Sequence, residues 1–261
     1  MRVMTIGLTA VAAVTVTLPL LPAFTPRAAL ASGVVGTGTA ASCTEVALNT
    51  ALTFGGTVTF NCGGAATITV TSTKTISADT TIDGGSLITI SGGNSVGVFS
   101  VIEPCRSNRN RRGRSGPTGE AFQGSILSFT SATLNNTGVK FTVQNLTIAN
   151  GNSTAVHGGG GIASYFGTLT VTKSTFSGSN ASAGADSGGG GINSHGGTLT
   201  VTNCIFSGNS AGGGGAIYNV GSYNNYGNFI YGTVTVTTLE RPAGQINVAK
   251  ADHSRASMTV S

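Results

Sequence analysis

The stretch 158–219 says the same thing twice and begins a third time, and few folds can absorb such a repeat. Gly159-Gly160-Gly161-Ile162, Thr168-Leu169-Thr170-Val171-Thr172 and Ser174-Thr175-Phe176-Ser177-Gly178 return as Gly189-Gly190-Gly191-Ile192, Thr198-Leu199-Thr200-Val201-Thr202 and Cys204-Ile205-Phe206-Ser207-Gly208. The step from Thr168 to Thr198 is 30 residues, and a third pass opens at Gly214-Gly215-Ala216-Ile217, 25 residues after the second. Upstream, Phe141-Thr142-Val143-Gln144-Asn145-Leu146-Thr147-Ile148 fits the second half of the unit at a step of 28, from Val143 to Val171. Periods of this size point to stacked repeats, each too small to bury its apolar face alone.

The composition of one unit decides which stack it is. Thr168-Leu169-Thr170-Val171-Thr172 alternates strictly, so Leu169 and Val171 face one way and Thr168, Thr170 and Thr172 the other. Leu199 and Val201 repeat the inward pair, while Thr198, Thr200 and Thr202 repeat the outward set. A second short strand carries Phe176 and Phe206 in matching positions, and a glycine-led third carries Ile162, Ile192 and Ile217. No segment has a helical apolar period, and runs of glycine disfavour helix. The pattern predicts an all-β chain, a right-handed parallel β-helix with three short strands per coil. Like residues would stack inside it, with Asn145, Lys173 and Asn203 at one corner.

The motifs make the chain resemble bacterial right-handed β-helix repeat proteins of the pectin-lyase-like superfold, most closely the polymorphic outer-membrane protein type. That type repeats Gly-Gly-Ala-Ile and Phe-x-x-Asn; Gly214-Gly215-Ala216-Ile217 and Phe206-Ser207-Gly208-Asn209 match in full. Gly160-Gly161-Ile162 and Gly190-Gly191-Ile192 keep the glycines without the alanine, and Phe176-Ser177-Gly178-Ser179 lacks the asparagine. The resemblance covers roughly 40–100 and 127–220 and implies a secreted or surface-displayed, non-catalytic stalk. We find no β-barrel translocator and no cell-wall sorting signal in the sequence, so a truncated relative with a lost anchor is expected.

Along the chain, 1–31 reads as a secretory signal, with Arg2, an uncharged apolar run from Val3 to Phe24, and Ala29-Leu30-Ala31 as a small-x-small cleavage site. The run is also long enough to serve as an uncleaved anchor. Residues 32–64 form an N-terminal cap and first strand: Ser42-Cys43-Thr44-Glu45 has capping-box spacing, and Ala47, Leu48, Ala51 and Leu52 share one helical face. A short helix here would cover the open end of the stack. Cys43 and Cys62 flank helix and strand; in an exported protein they would pair, the alternative being two separate thiols. Cys204, in the ladder position of Ser174 and Leu146, reads as a buried thiol unpaired with Cys105, and four cysteines so scattered make no zinc site. Residues 65–102 continue as early coils. There Asp79 and Asp83 invite a calcium reading, but Asp83 precedes Gly84-Gly85 and reads first as a turn.

Residues 103–125 break the pattern with an arginine-rich, irregular insert. Arg106, Arg109, Arg111, Arg112 and Arg114 account for five of the 13 basic residues; without them the formal charge of +5 falls to zero. With no aromatic residues interleaved among them for base stacking, nucleic acid is not favoured as a partner. Repeats resume over 126–240, with Tyr218, Tyr223, Tyr226 and Tyr231 clustered near Asn224, Asn225 and Asn228 as a covering loop or a glycan-stacking one. Residues 241–261 are an irregular tail.

Only 8% of residues are charged, against a usual ~25%, which leaves few groups for acid–base chemistry or metal ligation. We assign no catalytic residue, metal site or cofactor. A polysaccharide lyase or glycoside hydrolase on this superfold would need a base or a spaced carboxylate pair. Within the repeats only Lys140, Lys173 and Asp186, with His157 and His195 beside glycine runs, are available, and both histidines read as exposed loop residues. Three function classes therefore stand: an adhesion or interaction module directed at extracellular polysaccharide or a cell-surface ligand; a polysaccharide-cleaving enzyme; and an ice-binding solenoid using its Thr-x-Thr face. Membrane contact would come only through an uncleaved leader or the lost anchor.

Overall fold

A computed structural model describes residues 33–102, 138–154, 158–182, 188–223 and 229–239. Residues 1–32, the arginine-rich stretch, Cys105, His157, Asp186, Tyr226, the asparagines 224, 225 and 228, and residues 240–261 lie outside the described residues. The described chain is all-β apart from one α-helix and one turn of 3-10 helix. In order it runs β1 (Gly33–Val35), α1 (Glu45–Leu52), β2 (Gly56–Phe60), β3 (Ala66–Thr69), β4 (Lys74–Ile76), β5 (Thr80–Ser91), β6 (Phe99–Val101), β7 (Lys140–Ala149) and β8 (Asn152–Ser153). It continues through β9 (Ile162–Tyr165), β10 (Thr168–Thr172), β11 (Thr175–Ser177), β12 (Asn180–Ala181), β13 (Ile192–His195), β14 (Gly197–Ser207) and β15 (Ser210–Ala211). The last described strands are β16 (Ile217–Val220), β17 (Ser222–Tyr223), β18 (Phe229–Ile230) and β19 (Gly232–Leu239).

Strands pair with their counterparts one repeat away, in parallel, and the topology is compatible with a β-helix or solenoid. The largest sheet runs β1-β2-β5-β7-β10-β14 with β19 on β14; a second, β4-β6-β9-β13-β16, collects the glycine-led strands; β8, β12 and β15 form a third. Among the described residues only β17 and β18 pair antiparallel.

The register explains the core. Val58, Ile82, Val143, Val171, Val201 and Val236 are successive in-register neighbours, each fully buried. Beside them stand Phe141, Leu169, Leu199 and Val234. On the next stretch of the sheet Ile68, Ile90, Ile148, Phe176 and Phe206 line up, the two phenylalanine rings stacked at 4.9 Å. Ile162, Ile192 and Ile217 form the corresponding row in the second sheet. One slip of register on any strand would send its apolar set to solvent.

Two local devices let the strands stack. Asn145, Lys173 and Asn203 occupy one register position and all adopt left-handed backbone, φ 48–53°; asparagine enters that region more readily than most residues, and lysine does so here by force of its neighbours. Glycine-led segments approach one another closely: a Cβ on Gly161 would lie 2.5 Å from the Gly191 carbonyl, and one on Gly191 2.6 Å from that of Ala216. Repeated glycine is therefore a steric requirement of that sheet.

The N-terminal end is closed by α1, with Leu48 buried and Ala47, Ala51 and Leu52 packed against the core. The capping differs from the sequence expectation. The Thr44 side chain caps α1 by accepting from the Ala47 amide at 3.2 Å. Ser42 instead ends the preceding 3-10 turn, its hydroxyl donating to the Thr39 carbonyl at 2.6 Å and accepting from the Thr37 amide at 2.8 Å. Glu45, freed from any box, points toward the next layer of strands. Cys43 and Cys62 are joined in a disulfide, Cα–Cα 5.6 Å, tying helix to sheet. No helix among the described residues is long and apolar enough to cross a membrane.

Candidate functional site

The outward side of the largest sheet repeats one residue type in register. β10, β14 and β19 lie in register, so Thr168, Thr198 and Thr233 form one column, Thr170, Thr200 and Thr235 a second, and Thr172, Thr202 and Thr237 a third. Strand spacing sets neighbours in a column about 4.7–4.9 Å apart, and two residues along a strand separate columns by roughly 6.6–6.8 Å. All nine are half-buried or exposed, as a flat sheet surface requires. The central column continues through β7, β5 and β2 as Thr142, Thr81 and Thr57, making six consecutive strands with threonine at one position. The sequence repeat gives the outward threonines of the last three strands and, at its 28-residue step, aligns Thr142 with Thr170. It does not place Thr57 and Thr81 in the column, because strand spacing before β7 departs from that step.

Charge lies outside the three-by-three block, flanking the central column on β7 and β5. Lys140 stands below Thr168 in the first column, and Asp83 and Gln144 stand below Thr172 in the third. Asp83 is a turn residue first: its carboxylate accepts from the Gly85 amide at 3.0 Å, and also from Asn145 at 3.0 Å and Gln144 at 2.8 Å. Partial burial works to raise its pKa, but those donors outweigh it and hold the group below the ordinary carboxylate value. The same turn inserts Gly84 to Leu87 opposite the single residue Asn145.

The other described carboxylates are likewise structural. Asp79 accepts from the Lys140 amide at 2.9 Å. Glu45 receives Lys74 Nζ in an ion pair, and accepts from the Thr71 amide at 2.8 Å and the Thr71 hydroxyl at 2.9 Å. The lysine hydrogen bond, against the opposing effect of burial, lowers the Glu45 pKa from 4.5 to about 2. Lys74 occupies the rung below Phe99 and Ile162 and is 5% exposed, so the cap helix neutralises a charge that ends the apolar row. Nothing in the local sequence around Lys74 announces this pair; its spacing to Glu45 is tertiary.

His195 requires a correction. It is no exposed loop residue: it lies in β13, 7% exposed, in register with Tyr165, with ring centroids 5.5 Å apart. Tyr218 packs on it at 6.0 Å, and burial pushes the Tyr165 hydroxyl pKa upward. The flanking glycines of the sequence fall just outside the strand, which is why they suggested a loop. Cys204 is a free, buried thiol whose S–H donates to the Thr202 carbonyl at 3.2 Å; burial raises its pKa and makes it unreactive. Among the described residues no group of three or more His, Cys, Asp or Glu side chains could hold a metal ion. A cavity of about 390 Å³ beside the cap is lined by Val34, Ala47, Thr50, Ala51 and Phe54, with no titratable group among its walls.

Compared with protein families, curated proteins and solved structures, the chain matches none. Fold analogy therefore lends this site no activity, and its chemistry must be read from its own surface. That surface offers hydroxyls and methyls in a fixed array.

Proposed function

We propose that the chain is an exported, non-catalytic repeat protein of the polymorphic outer-membrane protein type. In this reading it is a right-handed parallel β-helix with three short strands per coil, and its outward threonine face is the interaction surface toward extracellular polysaccharide or a cell-surface ligand. The observation that carries it is the six-strand threonine column set in a three-by-three threonine block. Threonine suits any exposed sheet, but such exact recurrence across strands of unequal spacing favours a face kept for contact. The structural commitment of Glu45, Asp79 and Asp83 weighs against the lyase or hydrolase reading.

The test is attachment of the full chain to insoluble polysaccharides and to cell surfaces, with Thr200→Lys as the disrupting variant. Binding that falls away in Thr200→Lys, while circular dichroism stays unchanged, supports the reading. Unchanged binding in that variant, or release of unsaturated uronate from pectin by the wild type, overturns it.

A further inference from the structure

We infer that the partner of the threonine face is ordered water, so that the chain binds ice; this rests on the reading of that face as the working surface. The geometry comes from hydrogen bonding. Two O–H···O bonds of ~2.8 Å meeting at a tetrahedral water place the outer oxygens about 4.6 Å apart. Adjacent threonine hydroxyls in a parallel ladder are about 4.7–4.9 Å apart. A single water bridging each neighbouring pair along Thr57, Thr81, Thr142, Thr170, Thr200 and Thr235 is thus held near the second-neighbour spacing of a tetrahedral water lattice.

Three further features of the face point to the same partner. β-branching restricts threonine χ1, so the hydroxyls are set before any ligand arrives, and the γ-methyls occupy the gaps between them. The three-column block is uncharged, and its charged neighbours Lys140 and Asp83 stand at its border, so it lacks the complementarity an ionic polymer would need. The three-column block measures roughly 10 Å by 13 Å, on the order of 130 Å², and its central column alone runs on for roughly 24 Å, from strand spacing and rise. A stable protein partner needs about 800 Å² per side, whereas a crystal surface gains by matching the repeat.

A second threonine column, Thr67, Thr89, Thr147 and Thr175, serves as an internal comparison. It ends at Ile205, and the column beside it reads Thr69, Ser91, Ala149, Ser177 and Ser207, without the sustained β-branching. The inference therefore assigns ice binding to the first face and not the second.

The experiment measures ice-recrystallisation inhibition and thermal hysteresis with the full chain, its Thr200→Lys variant and its Thr147→Lys variant, circular dichroism confirming each fold. Activity in the wild type and in Thr147→Lys, with the required concentration rising at least about tenfold in Thr200→Lys, supports the inference; tenfold corresponds to ~1.4 kcal/mol. No activity in the wild type overturns it. If polysaccharide or cell attachment is then still lost in Thr200→Lys, the interaction-face reading survives alone; if attachment is indifferent to Thr200→Lys, both fall. Equal loss in Thr147→Lys and Thr200→Lys overturns the assignment to this face.

Discussion

The early strands, 33–102, and the late ones, 138–239, reach the same stacked registers by different means. From β7 onward the repeat is nearly literal: Leu169 faces Leu199, Val171 faces Val201, Phe176 faces Phe206, and left-handed Asn145, Lys173 and Asn203 mark one bend. Before β7 the sequence period dissolves, yet Val58, Ile82 and Val143 still meet in register. There the bend is made by four residues standing opposite one and clasped by Asp83, and the end is fastened by a disulfide and the Glu45–Lys74 pair. Stacking thus requires that inward side chains coincide and not that sequences do. Where repetition is imperfect, hydrogen-bonded charges and a covalent tie do the positioning.

The largest effect expected is in the late strands. Leu199→Asp places an unpaired carboxylate between Leu169 and Val234 in a fully buried row, a cost of several kcal/mol that should unfold the array; an unchanged melting temperature would refute the inward assignment. Next is the cap: Cys43→Ser with Cys62→Ser should lower stability by about 3 kcal/mol in the loop-entropy account, measured by urea unfolding. If the late strands outlast the early ones in hydrogen exchange of that variant, the two regions are separately fastened.

Glu45→Gln sharpens the same contrast through pH. The folded pKa of Glu45 is depressed from 4.5 to about 2, so its contribution is present above the unfolded value and is lost as pH falls from 4.5 toward 2. The wild-type melting temperature should decline across that window, and the decline should flatten in Glu45→Gln. Asp83→Ala, which strips the clasp from Gly85, Gln144 and Asn145, should cost about 1–2 kcal/mol. Asn203→Ala should cost less, about 1 kcal/mol for a left-handed position without its asparagine. Thr200→Ser lies at the bottom, within about 0.5 kcal/mol on an exposed sheet surface.

Alternation made the late inward rows legible in the sequence, because Leu169, Val171, Phe176 and Ile162 each have a counterpart at one fixed step. The short helix with Leu48 and the Cys43–Cys62 pair could also be read, from local periodicity and from flanking position. What stayed hidden depends on contacts that no local pattern encodes. Glu45 shows capping-box spacing but serves a lysine 29 residues on. His195 sits among glycines that imply exposure, yet its strand is covered on both sides. Thr57 and Thr81 were not legible as members of the long column because the steps from Thr57 to Thr81 and from Thr81 to Thr142 differ from the step that relates the later strands.

The most direct test of in-register stacking is a crosslink across the outward face. Thr170→Cys with Thr200→Cys puts two thiols on adjacent parallel strands, within the Cα separation of about 4.4–6.8 Å that a disulfide accepts. Mild oxidation followed by peptide mapping should show that bond formed in the folded protein, with the Thr170→Cys and Thr237→Cys pair, two strands apart, remaining reduced. A bond in the second pair and none in the first would contradict the register from which the core, the threonine face and the proposed function all follow.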